Sequence, residues 1–427
     1  MNKRVIFLKG IYTFNFIRGL ILLSLVIAIS INFLDKPGMD WMMYMKASSL
    51  YKSGQPLYNV WIPQYDIGAV FYLYSPLFVF AMVPLTFLPF QISLLLWDAV
   101  KLMLLYRTFI IIANMLSYKT LPDKKKATIL LLSYLFVLRF LLYDFDLGNV
   151  TVFLLWSMVE GWHQIKGSNQ IIGTVLLAAG LFIKTFSVIF IPYLIYKRNF
   201  KALTLFLMWV VILMFLPFLS GRWSYNLSLY DQWIQVINPF KVSVNIASSN
   251  PTMSKTHDLY TAIPSWFVAA SSFLHSFFSF NDLTIKEIVI IIYTAIGILI
   301  IAFLFIPGSK FFSGNTNNKV EAAELSYLLA SIPLIFPMQQ KHAFVFMTPL
   351  IIYVIHYLIA CKPKPYQILL CTLAFFLMVL TTDGIIGREL NLITQHLKLV
   401  TIGGLIFIVL FFCIRYEEQK STAVSSQ

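Results

Sequence analysis

The sequence predicts an all-α, polytopic helical membrane protein with about 11–12 transmembrane helices. Of its 427 residues, 59% are hydrophobic and only 12% are charged, whereas soluble domains carry roughly 25% charged residues. At ~20 residues per crossing, the apolar fraction is sufficient for on the order of a dozen spans. Because little polar sequence remains for a soluble domain, residues 1–427 are predicted to form a single integral membrane domain.

The basic residues predict the orientation in the membrane. The formal net charge is +14, and the cations stand mainly between apolar runs, which is typical of cytoplasmic loops and of contact with membrane lipids. No nucleic acid is predicted as a partner. Residues 1–13 and the polar tail 417–427 are predicted to be cytoplasmic, and residues 14–34 form an uncleaved first span. The pattern indicates a multi-pass protein of the cell (inner) membrane.

Two apolar stretches are interrupted. Residues 169–196 contain Lys184 and are predicted as two short crossings that meet at this lysine. Residues 68–90 contain three prolines and are predicted as an interfacial or re-entrant piece, since broken backbone at membrane depth must be covered by protein or line a wet cavity. The other spans are predicted at 91–116, 127–143, 149–163, 202–220, 285–307, 323–338, 343–360, 366–381 and 398–415.

Two polar stretches are longer than connections between spans require. They are residues 35–67 and 221–260, and the orientation places both on the extracytoplasmic side. Residues 35–67 form the first loop, which contains the catalytic candidate, and residues 221–284 form the second long loop. The apolar piece at 261–280 carries no basic residue and is predicted as a helix lying in the membrane interface.

The first loop contains Asp40, the main candidate for catalysis. A short helix is predicted from Asp40 to Gly54, with Asp40, Tyr44 and Tyr51 on one face. A poorly solvated carboxylate beside aromatic rings can act as a general base, because its pKa is open to adjustment. The alternative is that Asp40 only caps the helix and complements its dipole.

A second candidate is the turn that contains Asp144, Asp146 and Asn149, on the same predicted side as Asp40. Two acids two residues apart can bind a divalent ion or the hydroxyls of a sugar. A solvated turn that ends one helix and caps the next explains the same residues equally well.

Three basic side chains are candidates for binding a phosphate. A lysine inside apolar sequence is costly, so Lys184 is expected to have a partner or a function, with snorkelling to the headgroups as the alternative. Lys341 and His342 follow each other in a tight turn and can clamp a phosphate oxygen, although any such turn needs polar residues. Arg222, His257 and Asp258 are weaker candidates.

In order along the chain, these segments resemble the GT-C membrane glycosyltransferases, in particular the polyprenol-phosphate-mannose-dependent α-mannosyltransferase family. Gly148-Asn149 is similar to that family's Gly-Gln-x-Asn turn without the glutamine, and Ser187 stands where proline is common after Lys184. The other segments that carry the resemblance are Asp40 ahead of Tyr44, Gly54 followed by Leu57-Tyr58, Tyr72-Leu73-Tyr74-Ser75-Pro76-Leu77, Leu88-Pro89-Phe90, and Lys341-His342 with Pro349.

The resemblance implies an inverting transfer of a hexose, mannose first, from a polyprenyl-phosphate sugar donor to a lipid or glycan acceptor at the extracytoplasmic face. Asp40 would deprotonate the acceptor hydroxyl. The phosphate is already a good leaving group, so no metal or other cofactor is predicted, with a divalent metal at Asp144 and Asp146 as the alternative. The residues that would bind donor or acceptor are Tyr44, Tyr58, Asp144, Asp146, Asn149, Lys184, Lys341 and His342.

A transporter or flippase of a lipid-linked sugar is the rival interpretation. It requires charged groups along a pathway through the spans, for which Lys101, Arg107, Arg139 and Lys184 are available. Transporters often contain inverted repeats, and the two halves of this sequence show no such repeat. Sequence motifs of ATPases, zinc proteases and α/β-hydrolases are also absent from the chain.

Overall fold

A computed structural model describes residues 15, 17–27, 38–58, 60, 62–64, 68–70, 72–167, 169–237, 255–275, 285–309 and 317–425. Parts of three predicted features lie outside these residues: the end of the first span (28–34), the start of the first loop, and 238–254 and 276–284 in the second loop. The helices in chain order are α1 (Ile17–Ile27), α2 (Met39–Lys52), α3 (Pro76–Met82), α4 (Phe90–Met115), α5 (Asp123–Leu147), α6 (Thr151–Gly167), α7 (Gln170–Ile183), α8 (Phe190–Tyr196), α9 (Phe200–Phe215), α10 (Trp223–Ile237), α11 (Leu259–His275), α12 (Ile285–Ala302), α13 (Asn318–Ile335), α14 (Thr348–Ala360), α15 (Pro365–Phe375), α16 (Asp383–Ile386), α17 (Arg388–His396) and α18 (Leu399–Ser425).

Within the described residues, the fold is all-α apart from one small hairpin, and its helices are those of a polytopic membrane protein, which confirms the predicted class. The hairpin was not predicted; it pairs β1 (Ile62–Gln64), at the end of the first loop, with β2 (Gly68–Val70), at the start of the predicted re-entrant piece, as antiparallel strands. Among the described residues, five segments are long and apolar enough to cross a membrane: Asp123–Leu147, Phe200–Ser220, Lys286–Phe305, Lys341–Ala360 and Leu399–Ser421. The other apolar helices are shorter or, like the 26-residue α4, contain more charged residues, so the number of crossings stays a prediction.

Short 3₁₀ segments extend or interrupt several helices where the sequence predicts breaks. α7 ends at Ile183, Lys184 adopts an extended conformation, and a 3₁₀ turn at Thr185–Ile189 leads into α8. Between β2 and α4, the proline-rich stretch forms α3 and a 3₁₀ turn at Val83–Phe87 instead of one continuous helix. The two predicted interruptions are therefore present as breaks in helical structure.

Helices α6 and α7 pack closely against each other. Where α6 crosses α7, a Cβ atom at Gly173 would lie 2.5 Å from the carbonyl oxygen of Gly161, so only glycine permits this approach. Close backbone contact through small residues is a common means of packing helices in membranes. It brings Lys184, just beyond the end of α7, to the end of the bundle at which α5 is followed by α6.

Candidate functional site

The site is built where the start of α2 meets the turn between α5 and α6. Asn149 Nδ2 donates a short hydrogen bond to Asp40 Oδ2. Gly148 has a φ of +65°, and a Cβ atom there would lie 2.7 Å from Cβ of Trp41, so both conformation and space require glycine. The two segments that the sequence singled out separately are thus in direct contact.

The amide of Asn149 is held in one orientation. Its Oδ1 accepts hydrogen bonds from the backbone N–H of Thr151 at 3.1 Å and from Thr151 Oγ1 at 2.7 Å. Because an amide oxygen accepts and an amide nitrogen donates, these two bonds direct Nδ2 towards Asp40. Asn149 therefore orients a carboxylate, a contact that the sequence did not predict; its role in binding substrate stays a prediction.

Asp40 has the environment expected of a tunable carboxylate. It is partly exposed, yet the surrounding protein desolvates the carboxylate and raises the pKa of Asp40 above its ordinary value. The hydrogen bond from Asn149 and the positive charges of Lys184 and Lys101 oppose this rise. Asp40 is therefore a stronger base than an ordinary aspartate and remains stabilised as an anion by three neighbours.

Buried aromatic side chains fix the start of α2 beside the turn. The rings of Trp41 and Trp97 stack at 5.2 Å between centroids, and Trp97 Nε1 donates to the carbonyl oxygen of Gly148 at 3.2 Å. Tyr44 and Tyr74 share a hydrogen bond of 2.8 Å between their hydroxyl groups. Such a rigid wall restricts the positions that Asp40 can take.

Tyr44 and Tyr58 were predicted to bind substrate, and both are buried here, with exposed fractions of 1% and 2%. Tyr58 donates to the carbonyl oxygen of Tyr74 at 2.7 Å, and Tyr44 bonds the hydroxyl of the same residue. Their visible contacts position Tyr74 in the wall of the site, so contact with a substrate stays a prediction.

Lys184 and His342 are the cationic or potentially cationic groups of this site. Within the described residues, the side chain of Lys184 has no hydrogen bond or ion pair; its Nζ lies 5.6 Å from the ring centroid of Tyr74. His342 stacks on Tyr143 at 6.0 Å between ring centroids, and its Nδ1 has no partner in the described part of the chain. The positive charge of Lys184 acts on both His342 and Asp40.

Lys341 lies in a different electrostatic environment from His342, although the two residues are adjacent. The charged groups that act on Lys341 are Arg139, Asp383 and Lys255, whereas Lys184 and Lys101 act on His342. The charges that act on His342 are therefore those of the Asp40 site, and a joint phosphate clamp by Lys341 and His342 stays a prediction.

Asp144 and Asp146 differ in burial and in their contacts, although they are only two residues apart. Asp144 is fully buried, and its Oδ1 lies 3.2 Å from Nζ of Lys101, which also pairs with Asp98 at 3.0 Å. Asp146 is partly exposed. Among the residues that the structure describes, no group of three His, Cys, Asp or Glu side chains could hold a metal; metal dependence of the reaction stays untested.

Asp98 and Lys101 are the residues that sequence reasoning did not assign to the site. A usable signal was present, because an acid and a lysine three residues apart share one face of a helix. Such a pair in the apolar run that forms α4 indicates a buried ion pair with a further partner.

The weaker candidates of the second loop have structural contacts. Asp258 begins α11: its Oδ1 accepts from the N–H of Thr261 at 3.2 Å, and its Oδ2 accepts from the N–H of Gln339 at 2.8 Å. Burial raises the pKa of Asp258 to about 6, against the lowering effect of these hydrogen bonds. Arg222 donates to the carbonyl oxygen of Tyr51 at 2.8 Å and so joins α10 to the end of α2.

Comparison with known proteins gives one match. Residues 72–337, more than half of the chain, match the family described as glycosyltransferase family 87. No curated protein and no solved structure gives a match. The matched range contains Asp144, Asn149 and Lys184, and it leaves Asp40 and the turn at 341–342 outside.

Proposed function

The chain belongs to glycosyltransferase family 87, and we propose that it transfers a hexose, with mannose as the first candidate, from a polyprenyl-phosphate donor to a hydroxyl group of a lipid or glycan acceptor. The transfer inverts the anomeric carbon and takes place at the extracytoplasmic face of the cell (inner) membrane, with both termini in the cytoplasm. This detail rests on the resemblance described above and on the geometry around Asp40.

The observation that carries the proposal is an oriented carboxylate that experiences the charge of a lysine without an ion-pair partner. Asn149 orients Asp40, and the charge of Lys184 acts on Asp40, while the Lys184 side chain has no hydrogen bond or ion pair among the described residues. An oriented base beside an unengaged cation is what displacement of a phosphate by a hydroxyl group needs.

The reaction is a single displacement. Asp40 accepts the proton of the acceptor hydroxyl as its oxygen forms a bond to the anomeric carbon. The bond between that carbon and the phosphate oxygen breaks, and its electron pair leaves with the polyprenyl phosphate. Attack from the face opposite the phosphate inverts the configuration.

The leaving phosphate gains negative charge during this step, and we propose that Lys184 and His342 stabilise it. A preorganised cation in a poorly solvated site stabilises developing charge more strongly than water does, because it does not have to reorient. His342 is 6% exposed and retains a ring nitrogen without a partner in the described part of the chain. We assign no role in this step to Lys341, on which the charges of Arg139, Asp383 and Lys255 act instead.

An apolar cavity supports a lipid-linked donor. It has a volume of about 840 Å³ and lies between α1, α4, α5 and α14. Its lining includes Ala99, two residues before Lys101, and Leu141, three residues before Asp144. Its size is in the range of ligand pockets, about 300–1,000 Å³, and its apolar lining suits a hydrocarbon chain.

The transport interpretation loses its main support in the structure. Three of the charged residues that could line a pathway have partners: Lys101 pairs with Asp98 and Asp144, Arg107 with Glu160, and Arg139 donates to the carbonyl oxygens of Met378 and Thr381. Residues engaged in this way do not form a ladder of free charges through the spans.

The main test is the variant Asp40→Asn, purified in detergent or reconstituted in liposomes and assayed with polyprenyl-phosphate hexoses. We expect consumption of one donor by the wild type and a loss of ~10²–10⁴-fold in kcat for Asp40→Asn, the usual contribution of a general base. Asp231→Asn is the matched control, since Asp231 is an exposed aspartate on α10. Wild-type turnover by Asp40→Asn would reassign the base.

The proposed face is tested by labelling single cysteines in intact cells, in a background without the three native cysteines. Ser53→Cys and Lys124→Cys are suitable because both positions are exposed. A membrane-impermeant thiol reagent should label Ser53→Cys before lysis and Lys124→Cys only after it. The reverse order would place the reaction at the cytoplasmic face.

A further inference from the structure

We propose that Lys101, with its two carboxylate partners Asp98 and Asp144, is a positioning group for the Asp40–Asn149 pair: it fixes the turn that carries Asn149 and sets the charge that Asp40 experiences. This inference rests on the proposed function, because it assigns Asp40 as the base. None of the three residues needs to touch substrate.

The cluster is a buried ion pair with an extra carboxylate. Lys101 is 0% exposed, Asp144 0% and Asp98 2%. Nζ of Lys101 lies 3.0 Å from Asp98 Oδ1, 3.2 Å from Asp144 Oδ1, and 4.3 Å from the ring centroid of Phe145. With all three groups ionised, the cluster has a net charge of −1, and Asp144 Oδ2 has no partner in the described part of the chain.

Such an arrangement is poor as a source of stability. Desolvation of buried ions often costs more than their mutual attraction returns, and a pair of apolar side chains of similar volume commonly stabilises a fold more. Ionisable groups within membrane helices are for this reason associated with function. A role beyond packing is therefore expected for Lys101.

An unbroken series of contacts runs from Lys101 to Asp40. Nζ of Lys101 lies 3.3 Å from the carbonyl oxygen of Asp144 as well as bonding its carboxylate. The same carbonyl oxygen accepts the N–H of Asn149 at 3.0 Å. Asn149, with its Oδ1 occupied by Thr151, then donates from Nδ2 to Asp40. Replacement of Lys101 would remove the first contact of this series, the one between Nζ and the carbonyl oxygen of Asp144.

The charges around Asp40 alternate in sign. Asp40 experiences the positive charges of Lys101 and Lys184, and Asp144 acts on Lys184 in turn. The other ionisable groups that face Asp40 are the hydroxyls of Tyr44, Tyr74 and Tyr143. Removal of Lys101 takes away one of the two cations and leaves the carboxylates of Asp98 and Asp144 unbalanced.

The test compares Lys101→Met with Asp98→Asn in the pH profile of kcat/KM. Lys101→Met removes positive charge, which favours protonated Asp40, so we expect its acid limb about 1 pH unit higher than that of the wild type, with kcat ~10–100-fold lower and KM for the donor within ~2-fold. Asp98→Asn removes negative charge, so its acid limb should move to lower pH.

The matched control is Arg107→Met: Arg107 is on the same helix as Lys101, and the variant breaks its ion pair with Glu160 on α6. Its acid limb should coincide with that of the wild type. In the double variant Lys101→Met/Asp144→Asn, the cluster regains a net charge of −1 and the backbone bond to Asn149 is kept, so the acid limb should return towards the wild-type position. A purely structural role predicts that the double variant is more damaged than Lys101→Met.

An activity-independent readout separates this inference from the proposed function. Infrared difference spectra recorded across a pH titration identify the Asp40 carboxyl band as the one that disappears in Asp40→Asn. That band should titrate at higher pH in Lys101→Met than in the wild type. If the band does not move in Lys101→Met or Asp98→Asn, the inference fails, whatever the activity of Asp40→Asn.

Discussion

The two ends of the helix bundle differ in how their carboxylates and lysines are paired. At the end where α13 begins and α18 finishes, each of three carboxylates has a cationic partner: Glu321 pairs with Lys166, Glu324 with Lys197 at 2.5 Å, and Glu418 with Arg415 at 2.7 Å. At the opposite end, Asp40 and Lys184 form no ion pair among the described residues, and one lysine serves both Asp98 and Asp144.

This difference in ion pairing indicates that the two ends have different roles. A matched ion pair with its remaining hydrogen bonds satisfied, such as that of Glu324 with Lys197, Tyr193 and Ser309, holds helices together. Groups without a partner retain interaction energy that a substrate can use. The unmatched end is therefore the better candidate for binding an anionic lipid-linked sugar, and the matched end for maintaining the fold.

The largest effect should come from breaking a matched pair. Glu324→Ala leaves Lys197 buried, at 5% exposure, without its carboxylate, and removal of one partner of a buried pair costs about 3–5 kcal/mol. We expect a marked fall in the thermal unfolding midpoint and unchanged kcat for the protein that remains folded. Lys319→Ala, which breaks a pair with an exposed lysine, should cost less than about 1 kcal/mol. Equal losses for the two variants would contradict the distinction.

At the unmatched end, Lys184→Met should have the opposite effect to Glu324→Ala: a large loss of kcat with little loss of stability. The side chain has no ion pair to lose within the described residues, so the free energy of unfolding should stay within about 1 kcal/mol of the wild-type value. Transfer should fall by ~10²–10³-fold in kcat, the usual effect of removing one group that stabilises a developing anion. Destabilisation without loss of kcat in the folded fraction would assign Lys184 to the fold.

The smallest expected effect on kcat distinguishes His342 from Lys341, which are adjacent in one turn. His342→Ala should reduce kcat by ~10-fold, because the imidazole lies within the electrostatic range of Lys184. Lys341→Ala should change kcat by less than ~3-fold, because its charged neighbours are Arg139, Asp383 and Lys255. Assays at several donor concentrations separate kcat from KM. A greater loss for Lys341→Ala would move the phosphate site to the other side of this turn.

Much of the fold follows from the sequence because hydrophobic runs and helix breakers are local signals. The predicted break at Lys184 and the short helix that begins near Asp40 are both present. The hairpin of β1 and β2 was not predicted, since it consists of two strands of three residues each. Strands of three residues are too short to show the alternation of apolar and polar residues by which a strand is predicted.

The site was predictable only in part. Sequence selected Asp40, Asn149 and Lys184 separately, and nothing in their spacing stated that Asn149 bonds Asp40. Lys101 was noticed only as a possible pathway residue, because a lysine in an apolar run does not reveal its partners. Asp144, 43 residues further along the chain, is one of them.

The amino-acid sequence by itself determined that this protein is a bundle of apolar helices and which acids and lysines stand at the ends of those helices. Burial of apolar residues is set by composition and periodicity, which are properties of the chain. Only the tertiary structure decided which polar groups meet: it joined Asp40 to Asn149 and gave Lys101 two carboxylates. Electrostatic partners are fixed by distances of a few ångströms between remote residues, and such distances exist only after the helices have packed.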